Sequence, residues 1–174
     1  MKGEGGGDPR VANRWDGGVA WITHPEERMQ RASVALAVDG DVYLVDPLDG
    51  DGVEELYADL GDVAGVVLGL DRHKRDAAAF ADRHDVPVYV PEWMRGAVES
   101  DLQARVEGFE ATLPGTDYRS IQVRNGRFWK EMALFDPETG TLVVPEAVGT
   151  SGYFLAGDER LGVHPMLRSV PPRR

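Results

Sequence analysis

The sequence predicts a mixed α/β fold, and three observations carry that prediction. Short β-patterned segments open the ordered part of the chain, helix- and strand-patterned segments alternate through its middle, and the second half returns to hairpins. A chain of 174 residues, 42% of them hydrophobic, buries one sizeable core and leaves little room for two full domains. The expected organisation is a flexible tail over residues 1–17 and a single domain over 18–170.

The tail is expected because Gly5-Gly6-Gly7 and Gly17-Gly18 punctuate a polar stretch with too little apolar surface to order itself. Val19-Ala20-Trp21-Ile22-Thr23 reads as a first strand. Ser33 to Val38 and Val42 to Val45 flank Asp39-Gly40, a dipeptide suited to the positive φ angles of a tight hairpin, so a β-meander is expected. Gly52 to Leu60 places Val53, Leu56, Tyr57 and Leu60 at helical spacing, with Asp51 in position to cap the amino end. Val66-Val67-Leu68 is a short apolar strand. Arg75 to His84 predicts a helix, Val86 to Val90 a buried strand, and Glu92 to Gln103 a further helix. In the second half, Tyr118 to Arg124 and Arg127 to Phe135 flank Asn125-Gly126, read as a hairpin turn, and Pro137-Glu138-Thr139-Gly140 leads into the strand Thr141 to Val144. Beyond Gly149 the pattern is irregular, and Pro171-Pro172-Arg173-Arg174 reads as a frayed tail.

Composition narrows function before any motif does. Thirty acidic against nineteen basic residues give a net charge of −11, which opposes nucleic-acid and anionic-membrane partners. No apolar run approaches the roughly 18 residues of a membrane span and no signal-peptide core opens the chain, so a cytoplasmic protein is expected. Lys2, Lys74 and Lys130 are the only lysines. Scarce lysine with abundant Asp suits a halophilic protein that holds a hydrated carboxylate shell, and genomic GC bias would also replace Lys by Arg. With no cysteine, first-shell metal ligands would have to come from His and carboxylate.

An opening meander ending in Asp46, a helix, a short strand, the loop Leu70-Asp71-Arg72-His73-Lys74-Arg75-Asp76, a second helix and the strand Val86-Pro87-Val88-Tyr89-Val90 together resemble the first half of metallo-β-lactamase-fold hydrolases. The resemblance covers about residues 19–150 and implies a four-layer αβ/βα sandwich, incomplete at its carboxyl end. In that family the loop reads His-x-His-x-Asp-His and gathers two metals. Laid on this chain, its ligand positions fall on Asp71, His73, Arg75 and Asp76, so only His73 is retained. Aligned on the Pro137–Gly140 turn, a later family histidine falls on Arg127 and the bridging aspartate on Glu146. His164 is the only histidine that follows, and it stands early for the family's last ligand. The resemblance also assigns Asp46 an orienting role through hydrogen bonds to backbone or to His73.

The family's metals lower the pKa of bound water and polarise the substrate's oxygen. The resemblance therefore offers Asp71, His73, Asp76 and Glu146 as catalytic and metal-ligating candidates, a harder set than a His-rich zinc site, and one Zn, Mn or Fe ion as the cofactor if one is present. Arg75 and Arg127 argue the other way, because a guanidinium cannot ligate and repels a cation. The favoured expectation is a metal-free network in which arginines bridge carboxylates, with no cofactor. A pocket lined by Asp46, Arg75, Arg127 and Glu131 beside His73 would suit a small polar molecule. Two functions follow: a degenerate, non-catalytic binding module, or a metal-dependent hydrolase of an ester, thioester or phosphodiester with an atypical Asp/His/Glu site. A third reading is an unrelated α/β protein whose hairpins imitate the family.

Other signals carry less. Asp49-Gly50-Asp51-Gly52 fails as a calcium loop, since Pro47 and Ala58 would stand at ligand positions. Gly149-Thr150-Ser151-Gly152-Tyr153 departs from a nucleophile elbow at Tyr153. Trp129 and Phe128 are expected as core on a central strand, with Lys130 and Glu131 either solvated near its end or facing the pocket. The shortened sandwich would expose a sheet flank, so a homodimer is expected.

Overall fold

The computed structural model describes residues 7–168. Seven strands build one mixed sheet in sequence order. β1 (Arg10–Trp15), β2 (Gly18–Ile22), β3 (Ala32–Val38) and β4 (Asp41–Val45) run antiparallel to their neighbours. β5 (Asp62–Val67), β6 (Val88–Pro91) and β7 (Val106–Phe109) then add in parallel. The connections between parallel strands are helical: α1 (Ala77–His84) joins β5 to β6, and α2 (Glu92–Val98) joins β6 to β7. A second sheet has the order β10 (Leu142–Val143), β9 (Trp129–Phe135), β8 (Arg119–Gly126). A two-stranded ladder of β11 (Val148–Gly149) and β12 (Gly162–Val163) precedes the single turn α3 (Pro165–Arg168).

The large sheet is buried on both faces, as its strand composition requires. On one face Trp21, Val42, Leu44, Val66 and Leu68 meet Phe80, Met94 and Val98 from the helices. On the other, Leu36, Tyr43, Val45 and Val67 meet Met132, Leu134, Leu113 and Tyr118. The described residues thus form three layers, helices, large sheet and small sheet. The outer helical layer of the expected four-layer sandwich is not among them.

Several local expectations change. Residues 10–15, expected inside a flexible tail, pair with β2. Their side chains are almost all exposed, so no apolar alternation marked them, and the strand is held by its ladder alone. Residues 1–6 and the expected frayed end 171–174 lie outside the described residues. Between Gly52 and Leu60 only Glu54–Leu56 is helical, as a 3₁₀ turn, and the run carries one α-type bond, Ala58 N–H to Glu54 O at 3.0 Å. Val53 and Tyr57 are buried as their spacing required, but Asp51 caps nothing. The helix expected to reach Gln103 ends at Val98 and continues as a 3₁₀ turn to Asp101. The meander turn is as read: Asp39 and Gly40 take φ of 52° and 91°.

The β8–β9 hairpin turns two residues later than expected. Asn125 pairs with Lys130 and Gly126 with Trp129, which leaves Arg127 and Phe128 as the turn. Phe128, expected in the core, is therefore 84% exposed at the tip.

Candidate functional site

The two sheets are tied together where the parallel strands end. Past β5, Gly69 O accepts from Met132 N at 2.8 Å and Asp71 N donates to Lys130 O at 3.1 Å, so the chain crosses onto β9. Gly69 is required there, because a Cβ at this position would stand 2.5 Å from the Pro145 ring. The carboxyl ends of parallel strands are where open α/β sheets place ligands. Asp46 follows β4 directly and the loop Leu70–Asp76 follows β5.

His73 sits at the centre, 8% exposed. Its Nδ1 lies 3.0 Å from Asp46 Oδ2 and its Nε2 2.9 Å from Glu146 Oε2. Asp46 is fixed in turn by the Gly69 amide, which donates to Oδ1 at 3.0 Å. A ring nitrogen donates to an ionised carboxylate, so the ring is oriented by both neighbours at once. Glu146 receives more than His73: Arg72 Nη2 donates to its Oε1 at 2.9 Å, and His164 Nε2 lies 3.3 Å from the same oxygen. Arg75 Nη1 donates to the carbonyls of Asp46 (2.8 Å) and Ala32 (3.1 Å), while its Nη2 stands 3.2 Å from His73 Nε2. With His73 Nε2 turned to the Glu146 carboxylate, that last contact is an approach of two donors rather than a hydrogen bond.

Glu131 is fully buried. Its Oε1 accepts the amides of Glu146 and Ala147, both at 2.7 Å, and its Oε2 accepts Trp129 Nε1 at 2.6 Å. It therefore anchors the backbone that presents Glu146. Burial pushes its carboxyl above the ordinary value. For Glu146 burial also pushes upward, but the hydrogen bonds and charges of His73 and Arg72 together outweigh it and hold the group at about 2. Burial lowers His164 below its ordinary value, against the pull of Glu146. Its Nδ1 accepts from Met166 N at 3.2 Å, and Tyr153 Oη lies 3.2 Å from Nε2.

Among the candidates read from the sequence, the structure brings together Asp46, His73, Arg75, Glu131 and Glu146. Asp71 and Asp76 are turned elsewhere: Asp71 Oδ1 accepts from Lys130 N at 3.3 Å and Asp76 Oδ2 from Asp49 N at 2.8 Å, so each braces backbone. Arg127 is not in the site. The later hairpin turn carries it to the tip, over the Phe128 ring at 5.5 Å and beside a separate cavity with Met166 and Leu167. Arg72 was not singled out, although it binds Glu146 and stacks on Trp129 at 4.4 Å. Its place in the loop alternates with the family's ligand positions, which gave no reason to turn it inward. Tyr153 was read only against a nucleophile motif.

A metal of the kind the resemblance implies needs at least three convergent donors with free lone pairs. Both nitrogens of His73 face carboxylate oxygens, Arg72 occupies Glu146, and Arg75 stands over Nε2. No group of three or more His, Asp or Glu with metal-holding geometry exists among the described residues. As arranged, the residues do not fit the ion.

No family model and no curated protein matches the chain. Solved structures do. The DIM-1 metallo-β-lactamase exposed to ceftazidime is 12% identical, with a TM-score of 0.63 over 87% of this chain and 73% of that one. The TMB-1 structure is 10% identical, with a TM-score of 0.59 over 77% and 68%. A diflavin flavoprotein fragment from Nostoc sp. PCC 7120 is 13% identical, with a TM-score of 0.58 over 87% and 70%. Set beside the β-strand order and the site at the ends of β4 and β5, these likenesses give the chain the metallo-β-lactamase fold, as a relationship of fold alone.

Proposed function

We propose that this chain is a metallo-β-lactamase-fold binding protein whose metal centre has been replaced by an ionic network, and that it does not hydrolyse substrates. One observation carries the reading: the two ring nitrogens of His73 are taken up by the carboxylates of Asp46 and Glu146 at 3.0 and 2.9 Å, and Arg72 holds Glu146 at 2.9 Å. In such a network guanidinium charge does what a cation would do, balancing the two buried carboxylates Asp46 and Glu146. The neighbouring groove, of about 360 Å³, lies in the size range of small-molecule sites and mixes apolar walls with a few polar groups. The alternative hydrolase would need Arg72 and Arg75 to swing away, freeing His73, His164 and Glu146 to ligate.

Metal analysis of protein purified without chelators tests this. The expected result is no transition metal near one equivalent, and a melting temperature unchanged by chelator. Stoichiometric metal that is lost in His73→Ala would overturn the proposal.

A further inference from the structure

The groove beside the network carries a more specific reading, which rests on the binding function proposed above. One end is polar, lined by His73, Arg75, Glu146 and Arg31. The walls are apolar, with Ile22, Met29, Leu142, Val144 and Phe154. A second, more open hollow of about 410 Å³ continues it: Leu142 and Val144 line both, and beyond them lie Val34, Ala20 and Trp15. The two hollows adjoin along Leu142 and Val144, and charged side chains line only the first. Leu142 is 57% exposed there.

At the charged end one guanidinium keeps a donor without an acceptor. A guanidinium offers five donors. Arg75 spends Nη1 on two carbonyls, but Nε is buried without a partner among the described residues, and Nη2, on the same edge, has only the donor contact with His73. A buried N–H without an acceptor has lost its hydration with nothing in return. The backbone of Arg75 is also held at φ 36°, in the left-handed region that a residue with a Cβ disfavours. The Nε–Nη2 edge matches two oxygens of one carboxylate in side-on geometry. Arg31, also at this end, has its guanidinium taken up by bidentate contact with Glu27 at 2.6 and 2.7 Å, so Arg75, with Nε unpartnered, is the guanidinium that keeps a donor for a ligand.

We infer that the adjoining hollows bind an amphipathic monocarboxylate, its carboxylate on the Nε–Nη2 edge of Arg75 and its unbranched apolar chain running over Leu142 and Val144 toward Trp15.

The test is calorimetric titration of chelator-treated protein with unbranched saturated carboxylates from hexanoate to dodecanoate, below their micelle concentrations, and with the matching primary alcohols. Affinity is expected to rise about fourfold per added methylene until both hollows are filled. The acid should bind at least tenfold tighter than its alcohol. Arg75→Gln should abolish that margin while leaving alcohol binding in place, and Leu142→Asp should weaken both ligands tenfold or more. Longer acids should change tryptophan emission in the wild type and not in Trp15→Phe. Equal binding of acid and alcohol, or affinity independent of chain length, would sink the inference. If Arg75→Gln does not fold, the acid–alcohol comparison and the exposed Leu142 variant still decide. Carboxylate binding seen only in metal-loaded protein would overturn both this inference and the metal-free reading. A metal-free, folded protein that ignores every carboxylate overturns the inference alone.

Discussion

At the scale of single residues, the site is a set of charges that are stable only together. His73→Ala would leave Asp46 and Glu146 buried with one shared partner gone, a change that costs about 3 kcal/mol in buried ion pairs. Urea denaturation should show that loss as a lower midpoint with an unchanged slope. The pH dependence follows from the shifts. Glu146, held at about 2 against an ordinary 4.5, contributes stability that is complete above 4.5 and drains as pH falls toward 2. His164, lowered from 6.5, contributes stability that is complete above 6.5 and is lost as pH falls through its folded value. Glu131 runs the other way, since a raised carboxyl favours the folded state on acidification. Melting temperature against pH should therefore fall in two steps, and Glu146→Gln should shrink the step below 4.5, leaving the part that Glu27 and Asp136, both lowered by hydrogen bonds, contribute. His73, Asp46 and Glu146 were legible only through the family resemblance, which places each at a fixed offset from a strand end or turn. Arg72 was not, because the side a loop residue turns to depends on the β9 strand it packs against.

At the scale of elements, hydrophobic spacing identified positions more reliably than it identified helix type. Val53 and Tyr57 are buried as expected, yet the run bends after a single turn, and Asp51 is exposed with no capping bond. Asp51→Ala should accordingly change stability by no more than about 0.5 kcal/mol, by urea denaturation. At the carboxyl end of α1, Asp85 sits at φ 53° as a left-handed cap. Asp85→Gly should stabilise by about 0.5 kcal/mol in the same assay, because glycine enters that conformation without steric penalty. The β8–β9 hairpin shows why turn dipeptides mislead: the ladder gains the Gly126–Trp129 pair by turning two residues later, and that shift removes Arg127 from the site.

For the whole molecule, the net charge of −11 predicts self-repulsion that salt relieves. Melting temperature should rise between low salt and molar potassium chloride, and a flat profile would count against a halophilic protein. The seven-stranded sheet is covered by helices on one face and by β8–β10 on the other. β7, β11 and β12 were not foreseen. They are two to four residues long, too short to display a period, and they exist because partners already in place satisfy their backbone.

By itself the sequence determined the α/β class and the buried strands, since these depend on apolar periodicity and on strand and turn signals local to the chain, and the family resemblance of the Leu70–Asp76 loop pointed to the histidine around which the site is built. The tertiary structure decided everything that needed two distant segments at once: that Arg72 and His164 reach Glu146, that Glu131 anchors it, that Asp71 and Asp76 brace backbone instead, and that Arg127 stays outside. Pairing charges across more than seventy residues is a matter of which surfaces meet after folding, and no local pattern encodes it.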